Sequence, residues 1–183
     1  MNKKKILIIV TIIICVIILF IGYRFALKED KIKEILPEEE ISEEQYRKTM
    51  VTLYYKNKTT NELMPEVRLI DVKLLINDPY TTLINLLMEE PKNENLESVI
   101  PKETKINKIE LKSDILFIDF TKEFIDNHSG GIDEEKNTIY SIVNTVTELT
   151  EVNGVKILID NEENKSFMDN YINFNEAFFK ISK

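Results

Sequence analysis

The chain has 183 residues, of which 31% are charged and 43% hydrophobic, with no Trp, one Cys and one His. The first 27 residues hold four bases (Lys3, Lys4, Lys5 and Arg24) and no acid, which leaves residues 28–183 with 20 bases against 32 acids, a net charge of −12. Such an acidic body excludes a nucleic-acid binder, whose affinity comes from basic surface laid on phosphates. The single Cys and single His exclude a Cys/His zinc cluster and an intrachain disulfide, and four Gly with one adjacent pair leave no phosphate-cradling glycine loop.

Residues 1–5 form a short basic tail, and residues 6–23 are an uncharged run rich in Ile, Val and Leu. As a helix this run would rise roughly 27 Å, close to a bilayer core, so it is expected to span the membrane. Ile21-Gly22-Tyr23-Arg24 is not a small-x-small cleavage site, which favours an uncleaved anchor over a removed signal. Cys15 follows Ile14 where a lipidated cysteine would follow a small residue, and reads as a membrane-buried thiol. The expected topology is single-pass, with the tail cytoplasmic and the rest extracytoplasmic at the cell membrane. Residues 24–48 mix Lys and Glu around few apolar positions and read as a charged tether. The folded domain is then residues 49–183, enough for one core.

Within that domain residues 50–55 and 67–72 read as strands, rich in β-branched and aromatic side chains. Asp78 followed by Pro79 signals a helix start, and Tyr80, Leu83, Ile84 and Leu87 give it one apolar face ending near Pro91. Residues 105–111 and 115–120 read as a hairpin, with Ile115-Leu116-Phe117-Ile118 apolar on both faces as in a strand covered on each side. Asp133 can cap a longer helix striped by Ile139, Ile142, Val143, Val146 and Leu149, and Asn153-Gly154 turns into a strand at 155–159. The order β, β, α, β, β, α, β predicts an α+β fold: a small mixed sheet with two main helices packed on it.

Taken in order, several pieces resemble the GerMN domain family of GerM-type sporulation and spore germination proteins. They are Val51-Thr52-Leu53-Tyr54-Tyr55, the stretch 63–68, the helix ending at Pro91, Val99-Ile100-Pro101, Phe117-Ile118-Asp119-Phe120-Thr121-Lys122-Glu123-Phe124, Gly130-Gly131, Asn144-Thr145-Val146-Thr147-Glu148-Leu149, and Val155-Lys156-Ile157-Leu158-Ile159-Asp160. The likeness runs over about residues 49–162. One departure is that the family usually has Gly just after its last strand, where this chain has Asn161-Glu162-Glu163. The resemblance implies a fold similar to ring-building motifs. It also implies an extracytoplasmic, non-catalytic module of spore-forming Gram-positive bacteria, in the cell envelope or the intermembrane space of sporulation. Such a module would support an assembly of membrane- or wall-associated protein partners on the outer face, and the resemblance also admits self-association as an oligomer.

Three constellations carry an alternative chemistry. His128 beside Ser129 has the residue types of a base and nucleophile, but neighbours seldom aim at one point; a solvated loop is the plainer reading. Asp119 and Glu123 could be the paired carboxylates of a peptidoglycan-cleaving hydrolase. More economically, Asp119 caps the turn at 121–124. Asp126, Asn127, Asp133, Glu134 and Glu135 crowd one loop and could offer oxygens to calcium, although the spacing is not that of an EF-hand, and an acidic first helical turn explains them as well. The expectation is no catalytic, cofactor or metal site. The rivals are a sensor binding a small cell-wall ligand and the hydrolase.

Overall fold

The computed structural model describes residues 13–24 and 47–181. Residues 13–24 form one helix, exposed along its length. The rest of the expected span, residues 6–12, and nearly all of the expected tether lie outside the described residues. Among the described residues no helix is long and apolar enough to cross a membrane.

The second unit starts with strand β1 (Lys48–Asn57), which turns through Asn57, whose side chain accepts from the N–H groups of Thr59 and Thr60, into β2 (Leu63–Asp71). The two pair antiparallel along their length. Strand β2 ends one residue earlier than the composition suggests, because the Asp71 carboxylate accepts from Lys73 N–H and opens a short helix, α1 (Val72–Asn77). Asp78 then caps α2 (Pro79–Met88) through Thr81 N–H, as its Asp-Pro signal predicts, and Leu83, Ile84 and Leu87 are buried. A two-residue strand, β3 (Leu96–Glu97), adds to the other edge of β1.

The hairpin β4 (Ile106–Lys112) and β5 (Ile115–Phe120) forms as expected, and β6 (Gly154–Ile159) lies parallel to β5. Between them come a one-turn helix, α3 (Glu123–Asp126), and the long α4 (Ile132–Val146), whose Ile139, Ile142, Val143 and Val146 are fully buried. Asp133 does not cap α4. Gly131, at φ 91°, is its N-cap, and Asp133, Glu134 and Glu135 form an acidic first turn on the positive end of the helix dipole.

The expected single mixed sheet is in fact two sheets, ordered β2-β1-β3 and β4-β5-β6-β7, the last strand being β7 (Phe178–Phe179). The reason lies on α4. Ser141 Oγ donates to the carbonyl of Tyr54 and Thr145 Oγ1 accepts from Tyr54 N–H, so a helix satisfies backbone groups of β1 that a further strand would otherwise take. Nor is β5 covered on both sides. Leu116 and Ile118 are fully buried, whereas Ile115 and Phe117 are half-buried, the Phe117 ring lying under Lys112 Nζ at 4.6 Å.

Residues beyond Ile159 complete the core. Asp160 and Asn161 both have positive φ (48° and 65°), and Ile159 and Glu162 exchange backbone hydrogen bonds, which makes a tight two-residue turn. Asn161 therefore occupies a left-handed backbone position, which Asn tolerates better than most residues other than Gly. The chain then loops back through Ser166 and Asn173, buries Phe167 and Phe174, and pairs β7 (Phe178–Phe179) with the start of β6. Lys156 pins this segment by donating to the carbonyls of Phe174 (2.8 Å) and Asn175 (2.5 Å).

Gly154 is needed where β7 crosses it, since a Cβ there would stand 2.9 Å from the Phe179 ring. Gly154→Ala should loosen β7 without unfolding the core, read as faster hydrogen exchange at Val155 and Phe178 with a melting transition that remains cooperative.

Candidate functional site

A cleft of about 620 Å³ opens between the ends of β1 and β3, the 98–104 loop and the 127–134 segment. At its wall sits Lys56, whose ammonium lies 2.9 Å from Glu97 and 2.6 Å from Glu134. Burial alone would lower this amine's pKa, but the bonds to Glu134 and Glu97 outweigh it and leave the pKa raised, so Lys56 is a cation and no amine nucleophile. The cleft is rimmed by Glu90, Glu103 and Lys102 as well, which makes it a polar basin of net negative charge.

His128 stands behind this cleft and is committed to structure. Its Nδ1 accepts from Gly130 N–H at 3.0 Å, which puts the ring proton on Nε2. Nε2–H then donates to Thr138 Oγ1 at 2.9 Å, and Thr138 passes its own proton to the carbonyl of Val99 at 3.0 Å. The ring packs on Phe167 with centroids 4.2 Å apart. Both nitrogens are occupied, and no bond joins His128 to Ser129, which lines the cleft instead.

Burial pushes the His128 pKa below its ordinary 6.5, against the opposing pull of Glu134 and Asp169. A depressed folded-state pKa contributes stability that is present above pH 6.5 and lost as pH falls through the folded value. Glu135 works the other way: burial raises its carboxyl above 4.5, although Ile172 N–H bonds it at 2.7 Å, so its contribution is present at low pH and lost as pH rises. The two are separated by comparison. The wild-type melting temperature should drop more than that of His128→Gln between about pH 8 and about pH 5, and parallel curves would contradict the relay.

Asp119 and Glu123 line no common cleft and have different partners. Asp119 lies in β5, and its Oδ1 accepts from Asn161 N–H at 2.9 Å, so it braces the turn after β6 and not the 121–124 turn anticipated from sequence. It lines a cleft of about 180 Å³ with Lys108, Glu110 and Glu163, from which Glu123 is missing. Glu123 opens α3 at the surface, its carboxyl held below the usual range first by a hydrogen bond from Thr121.

The five residues considered for calcium are likewise dispersed. Asn127 donates to the Lys102 carbonyl, Glu134 bonds Lys56, and Glu135 is buried against the 165–174 loop. Among the described residues no three His, Cys, Asp or Glu side chains converge on one point. Cys15 is a free, exposed thiol on the helix at 13–24. From sequence Lys56-Asn57-Lys58 reads as a turn-like break after the aromatic run, whereas β1 continues through Lys56 to Asn57 and buries the Lys56 side chain against Glu97 and Glu134.

Solved structures share this architecture. A candidate lipoprotein from Clostridium perfringens superposes with a TM-score of 0.51 at 25% identity, covering 74% of this chain and 89% of that one. The tandem GerMN domains of the sporulation protein GerM from Bacillus subtilis give a TM-score of 0.61 at 21% identity over 74% of this chain, and the chain spans 47% of their length. The first GerMN domain of that protein alone gives 0.52 at 18% identity, covering 62% of this chain and 84% of that one. No curated protein matches the chain by sequence. The family profile for sporulation and spore germination, Germane, matches residues 52–165, more than half the sequence, and the chain belongs to that family.

Proposed function

We propose that this protein is a non-catalytic scaffold of the cell envelope, held at the membrane by its N-terminal apolar segment. Its 49–183 domain would face outward and support a sporulation or germination assembly through a protein partner. The observation that carries this reading is the commitment of the reactive side chains. His128 has both nitrogens bonded within the fold, Lys56 is neutralised between two carboxylates, and Asp119 is spent on a backbone turn. General acid–base and nucleophilic chemistry need such groups aimed at a substrate, unbonded or loosely held. Likeness to a candidate lipoprotein supports an envelope location.

One observation favours the sensor reading as a rival: the open acidic basin beside Lys56 would suit a small ligand bearing a cationic group. Deletion and complementation separate the readings. Glu97→Gln and Glu134→Gln alter the basin, whereas Asp119→Asn and Glu123→Gln remove the only carboxylate pair put forward for hydrolysis. The scaffold reading expects all four variants, each shown to fold, to restore sporulation or germination as the parent does. Loss of function confined to the basin variants would favour the sensor.

A further inference from the structure

One end of the β2-β1-β3 sheet differs from the rest of this acidic domain. Met50 and Leu69 face each other across β1 and β2, and Val67 lies one pair further along on the same side. Their side chains are 72%, 59% and 59% exposed, while further along the same face Tyr54 is partly covered and bonds Glu148 through its hydroxyl. Helix α1 continues from the same strand end and exposes Leu74 and Ile76. Five large apolar side chains left in solvent at one end of a domain are more than scattered surface hydrophobes.

The charges at that end also depart from the domain's sign. Arg47, Lys48 and Lys73 are exposed there. The acids of the same segments are Asp71 and Asp78, and each has a carboxylate oxygen taken by a backbone N–H as a helix cap. Apolar side chains bordered by exposed bases are the composition of a surface that rests on an anionic lipid interface. The chain also enters the domain here, since Val72 N–H bonds the Arg47 carbonyl at 2.6 Å. Residues 25–46, which join this point to the apolar N-terminal segment, can extend at most about 75 Å. Of all the faces of the domain, this is the one the membrane connection joins.

We propose that this end of the domain, which carries Met50, Val67, Leu69, Leu74 and Ile76, docks on the anionic bilayer surface, fixing the domain's orientation. The proposal rests on the membrane-anchoring reading. Hydrophobic contact supplies the hold and the three bases set the preference for anionic lipid, while the acidic remainder of the domain is repelled from the headgroups.

The test uses the full chain with Cys15→Ser, carrying a fluorophore at Asn77→Cys or, on the other sheet, at Lys112→Cys. Each is mixed with phosphatidylcholine–phosphatidylglycerol vesicles whose acyl chains are brominated. Quenching at position 77 but not at 112, lost when Met50, Val67 and Leu69 are changed together to Ser, is the expected result. Equal quenching at both positions, or quenching that survives the triple change, overturns the docking face while the chain still floats with vesicles. Self-quenching at 77 without quenching by bromine assigns the face to a second copy and also overturns it. A chain that fails to float with vesicles at all defeats the anchoring reading, and the docking proposal with it.

Discussion

Phe124→Ala should destabilise the domain by about 3 to 5 kcal/mol, the largest loss expected from any single truncation in it. Phe124 is fully buried on the one-turn helix α3 and stacks on Phe120 at 4.6 Å, nearly parallel. It also meets Phe167 at 5.5 Å and Phe174 at 6.1 Å. Removing its ring therefore opens a cavity bordered by three other rings, from β5 and from the C-terminal loop, none of which can move in without leaving its own partner. Equilibrium denaturation measures the loss. A cost under about 1 kcal/mol would mean that the 165–174 loop does not close over α3 as described.

Arg68→Met should cost about 3 to 5 kcal/mol for a different reason. Arg68 is buried on β2, and its guanidinium donates to Glu66 at 2.9 Å, to Glu89 at 2.9 Å, and to the carbonyls of Leu86 at 3.1 Å and Glu90 at 2.8 Å, which end α2. It also lies over the Tyr55 ring, 5.4 Å from its centroid. Glu66 is nearly as buried, and despite the burial that raises its pKa, N–H bonds led by Asn93, together with Arg68, keep the carboxyl below its usual 4.5. Taking Arg68 away strands that charge. Adding Glu66→Gln should return part of the loss, because a neutral amide oxygen still accepts from Asn93 N–H without a buried charge. The remainder should persist, since the Glu90 carbonyl loses its Arg68 donor, whereas Leu86 keeps the Tyr55 hydroxyl at 2.7 Å. A double variant no more stable than Arg68→Met would show that the ion pair is not the stabilising contact.

Much of this frame was legible in residues alone, and the failures have physical causes. Asp78-Pro79 with its apolar stripe placed α2, and the 105–120 hairpin and the α4 stripe were read from period and turn chemistry. The division into two sheets was not legible, because it depends on Ser141 and Thr145 bonding the backbone of a strand some ninety residues away. Nothing local marks a helical hydroxyl as an edge cap. The loop after Ile159 was not legible, because Phe167, Ile172 and Phe174 lie scattered in a polar stretch with neither helical nor strand period. Asp119 was rightly read as a brace and assigned to the wrong turn, since its partner Asn161 comes from across the sheet. His128 beside Ser129 reads from sequence as part of a solvated loop, whereas its ring is half-buried on Phe167 with its nitrogens bonded to Gly130 and Thr138, contacts that no local pattern marks.

The claim that most needs challenge is that the domain does no chemistry on the wall it is proposed to face. Asp119 and Glu123 occupy different settings, one bonded in the sheet and one exposed on α3, and a glycosidase needs its two carboxyls about 5 to 10 Å apart across one bound sugar. Purified protein incubated with peptidoglycan, followed by chromatography of soluble muropeptides, is the direct measurement. No release above buffer is predicted for the parent, Asp119→Asn or Glu123→Gln. Release by the parent that disappears in folded Glu123→Gln would contradict the scaffold and establish a hydrolase.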